Sequence, residues 1–200
     1  MKAFYITLNK KREERILENV CEPLNLECIK FPGVKLKEKN TGVCEGQNVK
    51  KIGNANIARV QGANAAHRNV WEHVQNLDEE RVLVFEDDVV LPFKNKEPAL
   101  KKVNEYLGGL EDNVDFAYLG NLKNKLGAHA YAITPDAAKK LFDIGPMCNG
   151  IIDGNIKWKC NNDKNFTCAY PPHLGHEYPV RSVLGGVGRQ TGIIYQGKAI

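Results

Sequence analysis

Two hundred residues, 42% hydrophobic and 26% charged, are enough for one domain with a self-supporting core, and no biased tract reads as disorder. A net charge of +4 is too mild for the basic footprint of a nucleic-acid binder and suits an anionic small substrate such as a nucleotide diphosphate. No apolar run approaches the roughly 20 residues that span a bilayer, and the amino terminus lacks the features of a secretory leader, so a cytoplasmic chain with no integral membrane segment is expected.

The chain opens with a strand, Ala3 to Leu8, followed by a charged stretch in which Asn9 is suited to cap a helix with Ile16, Leu17 and Val20 on its apolar side. Residues 22–51 are punctuated by Pro23, Pro32, Gly33, Gly42 and Gly46 and read as a Lys-rich surface loop, with a short strand over Glu27 to Phe31. Spacings of three and four among Ile57, Val60, Ala63, Asn64, His67, Val70, Trp71 and Val74 predict a helix from Asn56 to Leu77. Gly62 costs that helix roughly 1 kcal/mol, which close packing against a neighbour would explain.

Val82-Leu83-Val84-Phe85 is short, apolar and β-branched, as a buried central strand is, and it ends in Glu86-Asp87-Asp88. A helix over Pro98 to Leu110 and strands over Asp115 to Gly120 and Ala128 to Thr134 follow; Thr134 and Pro135 then match the cap and first turn of another helix. Beyond Pro146 the composition turns Gly-, Pro- and Asn-rich, with short strands expected around Phe166 to Tyr170. Alternating strands and helices without a linker or repeat predict one α/β domain over residues 1–200. The six cysteines (Cys21, Cys28, Cys44, Cys148, Cys160, Cys168) contain no CxxC spacing, and in a chain without an export signal they are expected to be free thiols.

Three successive carboxylates at the end of a buried strand repel one another until a cation arrives. In open α/β sheets ligands bind beyond the carboxyl ends of the strands. There one or two carboxylates plus substrate phosphates hold Mg²⁺ or Mn²⁺. A solvated acidic turn is the plain alternative.

Four segments in order carry a family resemblance. They are Phe4-Tyr5-Ile6-Thr7-Leu8-Asn9 with Arg12 and Arg15, Gly62 through Trp71 with His67, Val84-Phe85-Glu86-Asp87-Asp88-Val89, and Gly127 through Leu141. The chain resembles glycosyltransferase family 25, which includes lipooligosaccharide and collagen galactosyltransferases. The resemblance implies a GT-A fold, Rossmann-like, with a mostly parallel central sheet flanked by helices. It also implies a nucleotide-sugar donor such as a UDP-sugar, a divalent cation (Mn²⁺ or Mg²⁺), and inverting transfer of a hexose, galactose for example, to a glycan, lipid-linked sugar or protein.

Carried onto this chain, the resemblance makes Asp88 a metal ligand, with Glu86 toward the ribose or the ion. Asp87 joins the donor-binding set, although alternation along the strand turns it to the other face. Thr7, Leu8 and Asn9 would meet the donor's base and ribose, and Arg12 and Arg15 its phosphate or base, with a solvated helix face equally open to Arg15. Asn64 and His67 lie on the helix implied at the donor site; Ala66 stands where the family has Ser. His173, ahead of His176, is the late candidate for a third ligand. Asp153, flanked by Gly150 and Gly154 and read as a loop tip, is the candidate general base, preferred over Asp115 and Asp143. A nucleotide-sugar-binding protein without turnover, and another metal-dependent phosphoryl or nucleotidyl transferase, are the competing classes.

Overall fold

A computed structural model describes residues 1–39, 41–46, 56–90, 96–122, 125–148, 150–170, 178–181, 187–192 and 195–196. Strand β1 (Lys2–Thr7) leads through the Asn9 cap, whose side chain accepts from the Lys11 N–H, into α1 (Lys10–Ile16) and a π-helical turn (Leu17–Cys21). β2 (Glu27–Pro32) returns beside β1. Helix α2 (Ile57–Val74) is capped by Asn56, and β3 (Val82–Glu86) follows. Then come β4 (Val89–Val90), α3 (Lys96–Gly108), β5 (Phe116–Tyr118), β6 (Gly120–Leu122), β7 (Lys125–Leu126) and β8 (Ala130–Ile133). Next are α4 (Pro135–Phe142), α5 (Ile152–Asn162) and β9 (Cys168–Ala169), followed by β10 (Tyr178–Arg181), β11 (Val187–Gly192) and β12 (Tyr195–Gln196).

The central sheet runs β2-β1-β3-β8-β5-β9. β8 is antiparallel to both neighbours, and the other paired strands run parallel, so the sheet is mostly parallel as expected. Alternation along the strands splits the core in two. Phe4, Ile6, Val82, Val84, Tyr118 and Tyr131 pack with α2, α4 and α5 on one face. Ala3, Tyr5, Leu83, Phe85, Ala117 and Leu119 pack with α1 and α3 on the other. Gly62 has the predicted reason: a β-carbon there would lie 2.4 Å from the backbone oxygen of Val34, so only glycine lets α2 approach that segment. Thr134 caps α4 by accepting from the Ala137 N–H, with Pro135 in the first turn.

Two expectations are corrected. The cysteines are not free thiols: all six pair, as Cys21–Cys28, Cys44–Cys148 and Cys160–Cys168, with Cα separations of 6.0, 5.5 and 5.6 Å. The parallel return of β2, and the return of the chain from α5 to β9, bring residues seven and eight apart face to face, which sequence spacing does not reveal. The segment around Asp153 is not a loop tip but the first turn of α5. Ile152 and Ile156, four apart and buried, anchor that helix and override the helix-breaking tendency of Gly154. Among the described residues no helix is long and apolar enough to cross a membrane.

Candidate active site

The carboxyl ends of β1 and β3 lie side by side, Ile6 in register with Glu86. β8 enters the sheet at this same edge, and the Glu86 N–H donates to the His129 carbonyl at 2.8 Å. Because Val84 faces α2 and Phe85 faces α1, the strand's period of two sends Glu86 toward α2 and Asp87 toward α1.

On the α2 face a buried hydrogen-bonded row leads to Glu86. The Trp71 indole N–H donates to the Tyr131 hydroxyl at 3.0 Å, that hydroxyl lies 3.0 Å from His67 Nδ1, and His67 Nε2 lies 3.1 Å from Glu86 Oε1. Indole can only donate, so the Tyr131 oxygen accepts from it and its own proton is directed to His67 Nδ1. In the tautomer that accepts this proton at Nδ1, the imidazole proton sits on Nε2, aimed at Glu86. His67 is 1% exposed and Trp71 and Tyr131 fully buried, so the row is held rigidly. Burial opposes charge on Glu86, but the His67 hydrogen bond and the electrostatic pull of His67, His129 and Arg12 outweigh it, and the carboxyl is held below its ordinary value.

On the α1 face Asp87 is committed to the protein. Its Oδ1 accepts from Arg12 at 2.8 Å and its Oδ2 from the Thr7 hydroxyl at 2.6 Å. The Thr7 oxygen in turn accepts from the Asn9 N–H at 3.0 Å. Thr7, Arg12 and Asp87 thus clasp the ends of β1, α1 and β3 together. Leu8, 61% exposed, and Asn9 are the residues of this turn that face outward. Arg15 is half-buried one turn along α1.

Asp153 reaches the same edge from α5. Its Oδ1 accepts from the Ala128 N–H at 2.6 Å, just ahead of β8. Burial, opposed by that bond and reinforced by the charge of Glu86, pushes its carboxyl up to about 6. Asn64 acts behind it: its amide donates to the Met147 and Gly150 carbonyls and holds the segment that leads into α5. The edge therefore gathers two carboxyls of opposite tendency, Glu86 held charged and Asp153 prone to take a proton.

Asp88 follows on the turn after β3 and is 8% exposed. Its carboxylate, like that of Glu86, is the hard oxygen type of donor that Mg²⁺ or Mn²⁺ prefers. Among the described residues no group of three His, Cys, Asp or Glu side chains is placed to hold a metal, so an ion here would need phosphate oxygens or other ligands to complete its shell. His173 and His176 lie outside the described residues. Asp115 and Asp143 are elsewhere, the first tied to Lys140 and to the Thr167 N–H, the second to Lys139. A cavity of about 650 Å³ opens around Asp115 at the opposite edge of the sheet, lined by Glu79, Asp112, Thr134 and Lys140. It is remote from Glu86 and Asp153.

Sequence reasoning missed the parts played by Trp71, Tyr131 and His129. The signal for the first two was present in the four-residue spacing of His67 and Trp71, which puts both on one side of α2, and in the polar tip of a tyrosine within an otherwise apolar strand.

A crystal structure of a glycosyltransferase involved in the glycosylation of the major capsid of PBCV-1 is similar at a TM-score of 0.48 and 9% identity, over 86% of this chain and 83% of that one. The apo-form glycosyltransferase GlyE of Streptococcus pneumoniae TIGR4 is similar at a TM-score of 0.43 and 11% identity, over 83% of this chain. A second GlyE structure gives 0.41 and 10% over 84%. This chain spans 44% of the GlyE chains. No curated protein matches. Residues 1–125 match the model for "glycosyltransferase family 25 (LPS biosynthesis protein)", and the chain belongs to that family.

Proposed function

We propose that this chain is a metal-dependent, inverting glycosyltransferase of GT-A type that moves a hexose from a nucleotide-diphosphate sugar to an acceptor hydroxyl. The observation that carries the reading is the pairing of Glu86 with Asp153 across one sheet edge. Two carboxyls whose environments drive their proton affinities apart mark a division of labour between binding and proton transfer.

In this reading the exposed turn at Leu8 and Asn9 receives the donor's nucleoside, and the Arg12–Asp87–Thr7 clasp fixes that turn. Glu86 and Asp88 would hold a divalent ion, which when bound offsets the charge of the departing diphosphate. Asp153 accepts the proton of the acceptor hydroxyl. The acceptor oxygen then bonds to the anomeric carbon from the face opposite the diphosphate, and the bond from that carbon to the diphosphate oxygen breaks. A nucleoside diphosphate leaves and the proton remains on Asp153. A carboxyl near 6 suits that work, being mostly charged at neutral pH yet basic enough to take a proton.

Three disulfides joining all six cysteines fit an oxidising compartment better than a reducing cytoplasm.

The experiment is calorimetric titration with UDP in the presence of Mn²⁺. We expect Asp88→Ala to lose metal-dependent UDP binding while melting as the wild type does; unchanged binding in that variant would remove the metal assignment. Release of UDP from UDP-galactose or UDP-glucose by the wild-type protein separates an enzyme from a binding protein without turnover.

A further inference from the structure

Beyond Asp153 the same face of the sheet carries a row of aromatic rings whose outer members the mechanism does not use. Tyr131 of β8 is in register with Tyr118 of β5. Continuing the parallel register of Ala117 with Ala169 brings Tyr118 beside Tyr170, just after β9. Tyr118 and Tyr170 stack, with ring centroids 5.5 Å apart and planes 12° apart. Adjacent strands lie about 4.8 Å apart, so this pair sits one and two strands beyond β8, on the side of Asp153 away from β1.

The two rings differ in a telling way. The Tyr131 hydroxyl is satisfied by Trp71 and His67. The Tyr118 ring is fully buried, and its hydroxyl has no hydrogen-bond partner among the described residues. A buried hydroxyl without a partner is less stable than the phenylalanine that would fill the same space, and Phe116, two residues earlier, shows that a plain ring is accommodated on this face. Burial raises the proton affinity of the Tyr118 hydroxyl, with Tyr170 and the charge of Asp153 adding to the same effect. Tyr170, by contrast, is 44% exposed and offers one ring to solvent directly over this spot.

We infer that Tyr118 and Tyr170 form the acceptor subsite and that its occupant is a sugar ring. The inference rests on the proposed role of Asp153 as base. The donor occupies the edge at β1 and β3, so the acceptor approaches Asp153 from β5 and β9. A pyranose presents what this pair can recognise: a face of C–H groups for the open Tyr170 ring, and neighbouring hydroxyls for the Tyr118 oxygen. The Tyr118 ring lies beneath the half-exposed Tyr170 ring, and an incoming sugar hydroxyl would supply the hydrogen bond that the Tyr118 oxygen lacks. A lone serine or lysine-derived hydroxyl on a protein acceptor would engage neither the platform nor a second hydroxyl.

Methyl β-galactopyranoside and methyl β-glucopyranoside, titrated in saturation-transfer NMR experiments with UDP and Mn²⁺ present, test this on the full chain. We expect at least one to bind the wild-type protein, Tyr170→Ala to weaken that binding tenfold or more, and Tyr118→Phe to weaken it several-fold. We also expect Tyr118→Phe to melt no lower than wild type. A lower melting temperature for Tyr118→Phe would mean that its hydroxyl is already bonded in the folded protein, and would overturn the inference. So would equal hexoside binding by all three proteins, or binding only of a hydroxyl-bearing peptide. Failure of the wild type to bind UDP, with hexosides still bound at the tyrosine pair, would instead sink the donor-site reading and the word acceptor with it, and leave the tyrosine pair standing as a sugar site.

Discussion

The carboxylates of Glu86 and Asp87 are separated by one peptide bond and by the thickness of the sheet. Glu86 meets His67 at the end of a buried row of donors; Asp87 is held by Arg12 and Thr7 on the opposite face. The same acidic chemistry yields a group presented to the edge in one case and a fastening between elements in the other. The strand's period of two decides which, so an acidic triplet cannot be read as three equivalent ligands. Both halves serve one turn: the clasp fixes where β1 ends, and the relay fixes how Glu86 points.

The strongest test of this division lies with Asp153, the third carboxyl at the edge. We expect Asp153→Asn to lower transfer by about 10²–10⁴-fold with UDP affinity kept; normal turnover would disqualify it as base. In the wild type, transfer should rise with pH through about 6 and level off, and the variant should lack that limb. The stability effect has the opposite sense. A carboxyl whose folded value is raised to about 6 from 3.8 is penalised when charged, so the fold gains stability as pH falls from above 6 toward 4. Asp153→Asn should therefore be more stable than wild type at pH 8 by up to about 3 kcal/mol, and no more stable at pH 4.

Next in size is the relay. Tyr131→Phe removes the oxygen between the Trp71 N–H and His67 Nδ1 and leaves both buried without a partner, at a cost of about 2–3 kcal/mol measurable by urea denaturation. A neutral result would show that the row is not closed. The smallest effect separates the two neighbours directly. Asp87→Asn should destabilise by about 1–2 kcal/mol through the weakened Arg12 and Thr7 contacts, while changing UDP affinity less than threefold. A large loss of UDP affinity with unchanged stability would return Asp87 to the donor site.

Much of this arrangement was legible in the sequence because it depends on local rules. The Asn9 and Thr134 caps, the buried strand before Glu86 and the tight approach at Gly62 follow from residue chemistry at fixed offsets. The reversal of face between Glu86 and Asp87 follows from alternation. What escaped depends on contacts between distant residues. Tyr131 joins His67, 64 positions earlier in the sequence, only because β8 runs beside β3. Helix α5 was hidden by its glycine and asparagines, since its stability comes from burying Ile152 and Ile156 rather than from propensity. The cysteine pairs are a product of the same long-range returns.

The Cys44–Cys148 bond closes a covalent ring whose two ends are 104 positions apart. That ring encloses His67, Glu86, Asp88 and Tyr131, and Asp153 follows five residues after its closing cysteine. A protease that cuts the backbone once anywhere between 44 and 148 therefore frees neither piece. The nicked chain migrates as a single band on a non-reducing gel and separates into two fragments only when a thiol is added.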